Sequence, residues 1–349
     1  MQMKFSKTVI DSIGYELAPV VITSEELEER LKPMYDNLHL SVGQLEALTG
    51  IFERRWWEPG YILSHGAVIA ARKALDNSGV KTDDIGALIY AGVCRESFEP
   101  ATACHVATQL GVNEETAIYD ISNACLGVMN GIIDIANRIE LGVIRAGLVV
   151  SCESAREIND VMIERMLKDN DIKSFSTAIA TLTGGSGAVA VLLTDGSFAN
   201  KARRKLIGGV ALSAPEHYDL CRWHVDAGTT VNSAQFMRTD SASVLKHGVV
   251  LGLKTWKRFL DVVGWSSEQI DRVICHQVGS GHQNTILKTL GIPSEKDFAT
   301  YGSLGNIGTV SLLLTAAVAE ERGVLVEGAK VGFLGIGSGL NCIMLGWLW

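Results

Sequence analysis

Three residues in glycine-containing segments have the chemistry for covalent catalysis. Cys125 lies in NACLG between a predicted strand and a predicted helix, His276 follows the apolar strand RVIC, and Asn306 lies in GSLGNIG. A cysteine at a helix start is expected to have a lowered thiol pKa, because unpaired backbone N–H groups and the helix dipole favour the thiolate. An imidazole N–H and an amide N–H can together stabilise a developing enolate oxygen. These residues are therefore the candidate nucleophile and its two polarising groups.

Each of the three also has an ordinary structural interpretation. A free cysteine is commonly a small buried hydrophobic side chain. His276 could be a satisfied structural histidine, and Asn306 could be a helix N-cap. The structural interpretation is adopted for the other six cysteines, Cys94, Cys104, Cys152, Cys221, Cys275 and Cys342.

An internal repeat favours catalysis for the first three residues. The segment NACLGVMNGIIDIANRIELG (123–142) aligns without a gap with LGNIGTVSLLLTAAVAEERG (304–323), which places Cys125 opposite Asn306. If two similar halves pack about a pseudo-twofold axis, the two helix starts meet near the centre. We therefore expect Cys125 and Asn306 to share one pocket.

The elements that position these residues alternate between apolar strands and helices, which predicts an α/β protein with a mostly parallel sheet. A capping box at Thr23 should begin a helix that Pro33 ends. A charged, mostly helical insertion spans 153–182.

The chain is predicted to divide into two halves, residues 1–200 and 201–349. They are joined at the basic segment KARRK (201–205), which is interpreted as a solvated linker. The predicted strands are 85–93, 117–122, 146–152, 187–194, 270–278 and 329–335, and the predicted helices include 64–79, 101–111 and 125–141.

Composition excludes several classes of protein. The 349 residues carry a net charge of −8, which argues against wholesale nucleic-acid binding. Seven cysteines without a CxxC pair make a disulfide framework or a metal site improbable. The N-terminus does not resemble a signal peptide, and no window reaches the roughly 18 apolar residues of a membrane span. A cytoplasmic protein without a membrane span is expected.

At this point the motifs resemble those of a known family. The segments NACLG (123–127), His276-Gln277 and GNIG (305–308) are similar to the Cys–His–Asn set of β-ketoacyl synthase III enzymes in the thiolase superfamily, over essentially the whole chain. The same family resemblance extends to the segment with Gly50-Ile51 followed by Arg54-Arg55. The most similar branch is that of the OleA-type enzymes, which condense two fatty acyl-CoA molecules head to head into a β-keto acid. The segments that carry this closer resemblance are SFEPATA (97–103), CHQVGSGH (275–282) and GIGSGLNC (335–342).

The resemblance implies a layered αβαβα thiolase-like fold and a role for each site residue. Cys125 would attack the first acyl-CoA, and His276 and Asn306 would stabilise the enolate of the second. The backbone N–H groups of Cys125 and Ser338 would form an oxyanion hole. A homodimer is implied, with the strand before Cys125 near the interface and Glu99 reaching the partner's site as the base. A base is useful because two plain acyl chains, unlike malonate, have no CO₂ to lose.

A departure from the synthase III pattern bears on the acyl donor. After the histidine this chain lacks the usual Ala-Asn and nearby arginine, and Lys288 is the nearest cation. A weakly basic face disfavours an acidic carrier protein, so coenzyme A thioesters are expected as both substrates, with no other cofactor. Arg54 or Arg55 would contact the CoA phosphates or form surface salt bridges. Residues 153–182 and 218–242 are expected to wall the acyl tunnels.

Three alternatives remain open at this stage. The first is a malonyl-dependent β-ketoacyl synthase III or a related acyltransferase of secondary metabolism. The second is a cysteine hydrolase, because papain-like enzymes share the order Cys, His, Asn, although the sequence around Cys125 is unlike theirs. The third is a non-catalytic scaffold of the same fold. If the protein condenses two acyl-CoA molecules, downstream lipid-pathway enzymes are expected partners.

Overall fold

The computed structural model describes residues 1–198, 204–225 and 235–349. Its strands are β1 (Gln2–Lys4), β2 (Val9–Leu17), β3 (Val20–Thr23), β4 (Glu53–Trp56), β5 (Ile85–Ala91), β6 (Ala117–Ile121), β7 (Ala146–Glu153), β8 (Gly187–Thr194), β9 (Arg204–Ser213), β10 (Cys221–Val225), β11 (Gln235–Thr239), β12 (Arg272–Cys275), β13 (Lys330–Gly337) and β14 (Asn341–Leu348). Its helices are α1 (Ser24–Arg30), α2 (Lys32–Leu38), α3 (Gln44–Thr49), α4 (Leu63–Asp76), α5 (Thr102–Leu110), α6 (Gly127–Glu140), α7 (Arg156–Asp169), α8 (Ile172–Leu182), α9 (Ser241–Val263), α10 (Ser280–Leu290), α11 (Tyr301–Leu304) and α12 (Ser311–Glu321).

Within these ranges, ten strands form one sheet in two parts. The first part runs β6-β5-β7-β8-β2 and the second runs β9-β14-β13-β12, with β1 on β9. Only two residue pairs, Val9 with Lys205 and Ile10 with Arg204, join β2 to β9. Apart from β1, the two parts come from the first and second stretches of the chain, as two similar halves would require. The boundary near residue 200 stays a prediction.

The expectation of a mostly parallel sheet is wrong. Among the described strands of this sheet, only β5 with β6, β5 with β7, and β12 with β13 pair in parallel. The strands β8 and β14 run antiparallel to their neighbours. For β14 the reason is the short connection from Gly337 to Asn341, since only antiparallel strands can be joined by a tight turn.

Five layers result from the way helices cover the two parts of the sheet. In the central layer, Ile135 of α6 and Leu313 of α12 belong to one apolar cluster with Val191 of β8 and Leu345 of β14. The helices α4 and α5 bury their apolar faces on the outer side of the first part. The helices α9 and α10 do the same on the second part. The thiolase-like αβαβα fold implied by the sequence motifs is therefore confirmed.

Local predictions near the ends of elements have mixed outcomes. The capping box is present: Thr23 caps α1, and the Glu26 side chain accepts from the Thr23 N–H. Pro33 does not end the helical region; it lies in the first turn of α2, where proline is favoured because it lacks an N–H. The helix predicted from Cys125 begins two residues later, at Gly127. In the basic segment, residues 201–203 lie outside the described residues, and Arg204 already belongs to β9.

The predicted insertion is two helices, α7 and α8. They form an apolar cluster with helices near the N-terminus, and the β10–β11 hairpin packs against it through Trp223, Phe236 and Met237. In the part of the chain that the structure describes, none of the helices combines the length and apolar character needed to cross a membrane.

Candidate active site

A cavity of about 600 Å³ brings the three candidate residues together. Cys125, His276 and Asn306 all line it, although 151 positions separate the first two in sequence (276 − 125). The walls of the cavity are mainly apolar. The two segments predicted to wall the acyl tunnels also line this cavity. The insertion contributes Ile158 and Thr181, and the described part of 218–242 contributes residues that include Trp223.

The turn before α6 holds Cys125 at the cavity. Ala124 has a φ of 45°, a left-handed conformation that costs a non-glycine residue strain. The Asn123 side chain fixes the turn on two sides: it donates to Asn130 Oδ1 at 2.7 Å and accepts from Asn341 Nδ2 at 2.9 Å. The nucleophile is thereby tied both to its own helix and to the first residue of β14.

The expectation of a lowered thiol pKa is wrong for this structure. Burial raises the pKa of Cys125 to about 12, with smaller contributions from Cys221 and Glu153. The helix N-terminus does not offset this effect, because Cys125 precedes the first turn and the Val128 N–H is already donated to Thr309 Oγ1 at 2.8 Å. The thiol is therefore protonated at neutral pH and has to lose its proton during its reaction.

His276 lies directly after β12, and its backbone N–H continues the sheet by donating to Leu334 O at 2.9 Å. Burial lowers its pKa to about 4, and His282 contributes. The imidazole is therefore neutral at pH 7 and able to accept a proton. Its Nδ1 is buried and has no hydrogen-bond partner within the described residues. Most buried polar atoms have such a partner, so the unpartnered nitrogen favours a functional role for His276.

The Gln277 side chain couples the histidine to the asparagine loop. Its Oε1 accepts from the backbone N–H groups of Thr300 and Tyr301 at 2.8 and 2.7 Å, at the start of α11. Its Nε2 donates to Thr315 Oγ1 at 3.3 Å. Gln277 therefore fixes the end of β12 relative to the segment that leads to Asn306.

Asn306 is held through its backbone by the end of the insertion. Its N–H donates to Thr183 O at 2.8 Å and its carbonyl accepts from Gly185 N at 2.9 Å. Its side-chain Oδ1 accepts from Gly308 N at 3.1 Å, which leaves the amide NH₂ available to a ligand in the cavity.

Gly305 gives a test of this positioning. It has a φ of +66°, and a Cβ there would lie 2.5 Å from Thr183 O and 3.0 Å from Arg54 Cβ. Gly305→Ala should therefore displace Asn306, lowering kcat by about 100-fold and stability by about 2–4 kcal/mol. The measurements are thioester turnover and chemical denaturation.

Gly323→Ala is the matched control. Gly323 has a φ of +68°, but a Cβ there would meet nothing within 4 Å, so only the left-handed conformation is penalised, at about 1 kcal/mol. Equal losses in the two variants would show that the contacts of Gly305 do not position the site.

The predicted oxyanion hole requires the loop after β13 to lie beside Cys125, and it does. Ser338 lines the cavity, and a Cβ on Gly337 would lie 3.5 Å from the Cys125 backbone nitrogen. This proximity is compatible with two backbone N–H groups serving one oxygen, and the assignment to Cys125 and Ser338 stays a prediction.

Glu99 lies outside this cavity. It is exposed in the segment 95–100, next to the fully exposed ring of Phe98. The base of this segment is fixed, because the buried Glu153 carboxylate accepts from Val93 N at 2.9 Å and Cys94 N at 3.1 Å. An exposed side chain in this position could reach the site of a second subunit, as the predicted base would have to. The role of Glu99 stays a prediction.

The phosphate-binding prediction is wrong for Arg54. Its side chain is fully buried, and it donates to Ser24 Oγ at 3.0 Å and to the carbonyl of Ile22. Burial lowers its pKa to about 10. A guanidinium inside the protein cannot contact a phosphate outside it. Arg55 is half-buried and donates to Ala18 O, and its contact with a phosphate stays a prediction.

Glu153, Cys221 and His282 are among the polar residues lining the cavity that sequence reasoning did not assign to the site. Glu153 ends β7, and burial raises its pKa. Its position at a strand end is the signal that identified His276, so the same rule would have found it. Cys221 and His282 carry no comparable signal, since the first lies in a hairpin and the second in the first turn of α10.

Two family models match the chain. Residues 66–227 match the N-terminal domain of thiolase, and residues 260–349 match the C-terminal part of 3-oxoacyl-[acyl-carrier-protein] synthase III. These matches fall on the stretches that contribute Cys125 on one side and His276 and Asn306 on the other.

Relatives of known name agree over the whole length. The chain is 56% identical over 349 residues to an acyl-CoA:acyl-CoA alkyltransferase of Shewanella oneidensis, covering 99% of the chain and 100% of the relative. It is 36% identical over 348 residues to one of Xanthomonas campestris, again covering 99% and 100%.

Solved structures give the same result. A crystal structure of Xanthomonas campestris OleA superposes with a TM-score of 0.93 at 35% identity, covering 99% of this chain and 98% of that one. A serine-for-cysteine variant with bound lauric acid and lauroyl-CoA superposes with a TM-score of 0.91, also at 35% identity, covering 99% and 100%. The chain therefore belongs to the acyl-CoA:acyl-CoA alkyltransferase family, the OleA branch of the thiolase superfamily.

Proposed function

We propose that this protein condenses two fatty acyl-CoA molecules head to head into a β-keto acid, through a thioester on Cys125. The observation that carries the proposal is that Cys125, His276 and Asn306 line the same apolar cavity. Membership of a family whose relatives are named acyl-CoA:acyl-CoA alkyltransferases supports the choice of substrates.

The first step is acyl transfer to Cys125. The thiol attacks the thioester carbonyl, and the neutral imidazole of His276 accepts its proton. The CoA thiolate then leaves and takes up that proton, so a free thiol and a new thioester are the products. The high pKa of Cys125 makes a nearby base necessary, and the low pKa of His276 keeps that base unprotonated.

The second step is carbon–carbon bond formation. A base removes the α-proton of the second acyl-CoA, and we assign this role to Glu99 supplied by a partner subunit. His276 and the free amide NH₂ of Asn306 donate hydrogen bonds to the enolate oxygen. The enolate carbon attacks the Cys125 thioester, whose thiolate leaves and takes up the proton that Glu99 removed from the α-carbon. Water then hydrolyses the β-ketoacyl-CoA, which releases the β-keto acid and a second CoA.

A homodimer in a reducing cytoplasm completes the proposal. The strand β6, which leads to Cys125, lies at an edge of the sheet, where its unpaired backbone groups are available to a second copy. All seven cysteines are free thiols, which suits a reducing compartment. Enzymes that act on the β-keto acid are the expected downstream partners.

The test supplies purified protein with palmitoyl-CoA alone and follows free CoA and products. The proposal expects two CoA released for each β-keto acid or its decarboxylated ketone. The match of residues 260–349 to synthase III favours one competing activity, condensation with malonyl-thioester. A strict requirement for malonyl-CoA would replace the proposed reaction with that one.

A further inference from the structure

Residues of two separate apolar clusters line the cavity, and the space beside each cluster is here called an arm. One arm, here called the hairpin arm, is walled by the insertion and the β10–β11 hairpin through Ile158, Ala180, Thr181, Trp223 and Met237. The other, here called the α9 arm, lies between α9, α10 and the strands β13 and β14, and its walls include Val244, Gly252, Ile286, Leu290, Leu334 and Met344. Two arms suit two acyl chains held at one nucleophile.

One face of α9 forms the floor of the α9 arm. Its cavity-lining residues recur at helical spacing, from Ser241 through Val244 and Gly248 to Gly252. The arm accordingly follows the helix for about 16 Å, at 1.5 Å per residue.

The two glycines on this face differ in the space around them. A Cβ on Gly248 would lie 2.8 Å from Ile336 Cδ1, so the neighbouring side chain fills that position. A Cβ on Gly252 would meet nothing within 4 Å, although the residue is buried. The open space beside Gly252 is therefore the cavity itself.

Gly252 is also the last residue of α9 along this arm. One turn further, Thr255 is fully buried and donates to Leu251 O at 2.8 Å, and Trp256 is almost fully buried. Cys342, which lines the cavity, lies next to the Thr255 side chain. These residues close the arm, so the missing side chain at Gly252 lies near the place where a chain of limiting length would end.

We propose that Gly252 sets the length limit of one of the two acyl chains, the one bound in the α9 arm. This inference rests on the proposed condensation of two acyl-CoA molecules. A side chain at position 252 would occupy the volume of the terminal methylenes in that arm and leave the hairpin arm unchanged. Long chains should then be excluded from one binding position only.

The experiment supplies an equal mixture of decanoyl-CoA and palmitoyl-CoA and separates the short–short, mixed and long–long products by mass. Gly252→Leu is expected to lower the long–long product at least about tenfold while retaining the mixed one, because each excluded methylene costs about fourfold in binding. Gly252→Ala should give a smaller shift in the same direction. Alanine there clashes with nothing and favours the helix, so this variant should fold.

Lys254→Leu is the matched control, since Lys254 is exposed on another face of α9 and does not line the cavity. It should leave the product distribution unchanged. An unchanged distribution in both Gly252 variants would overturn the inference, as would an equal loss of the mixed and long–long products. If the unsubstituted protein forms no product from these two substrates, the proposed function fails as well. If it forms products and the Gly252 variants give the same product distribution, only the role of Gly252 is removed.

Discussion

Cys125→Ala is expected to abolish CoA release from fatty acyl-CoA, lowering kcat/KM by at least about 10⁴-fold. The acyl chain would have no thiol to attach to, and His276 alone cannot supply a nucleophile of similar reactivity. Because the change removes one sulfur from a cavity wall, the fold should be retained. The measurements are a thiol-release assay and the intact mass of the protein after exposure to palmitoyl-CoA, which should show no acyl adduct.

Cys221 provides the control for this prediction, because it is a second thiol in the same cavity and lies close enough to influence the pKa of Cys125. Cys221→Ala should retain the acyl adduct. An adduct that persists in Cys125→Ala and disappears in Cys221→Ala would assign the nucleophile to the hairpin.

Glu99→Ala should separate the two steps of the reaction. Removing the proposed base is expected to lower condensation by about 10²–10⁴-fold. Acylation of Cys125 should persist, because Glu99 is exposed and does not line the cavity of its own chain. The expected result is a burst of about one CoA per active site followed by little further release. Turnover equal to that of the unsubstituted protein would remove Glu99 from the mechanism.

Mixed dimers test whether Glu99 acts across the interface. Co-expressed Cys125→Ala and Glu99→Ala chains should regain roughly a quarter of the activity, since half the dimers are mixed and each has one complete site. No recovery would mean that Glu99 does not serve the partner's site.

The sequence was sufficient to predict which residues meet in the site. Cys125 and Asn306 were identified by an ungapped repeat, and His276 was identified by its position at a strand end. Both signals depend only on local sequence pattern and chain topology. The same holds for the capping box at Thr23 and for six of the ten strands of the sheet, β5, β6, β7, β8, β12 and β13. Each of these features is encoded within a short segment or in the order of segments.

Two predictions about the surroundings of single side chains were wrong. The pKa of Cys125 is raised mainly because the thiol is buried, with smaller contributions from Cys221 and Glu153. One N–H at the helix start, that of Val128, is donated to Thr309 and not to the thiol. Arg54 looked like a surface cation but is fully buried beside Ser24. Burial and the choice of hydrogen-bond partner are decided by residues distant in sequence, so neither could be read from the motif alone.

The most direct test of the account is a single-turnover chase of the acyl enzyme. Protein carrying a labelled palmitoyl group on Cys125 is freed of CoA and then mixed with unlabelled palmitoyl-CoA, and the Cys125 peptide and the product are followed by mass spectrometry. The account predicts that the label leaves Cys125 only after the second acyl-CoA is added, and that it appears in a β-keto acid or ketone that contains one labelled and one unlabelled chain. Release of the label as free palmitate at the same rate with and without the second substrate would contradict it.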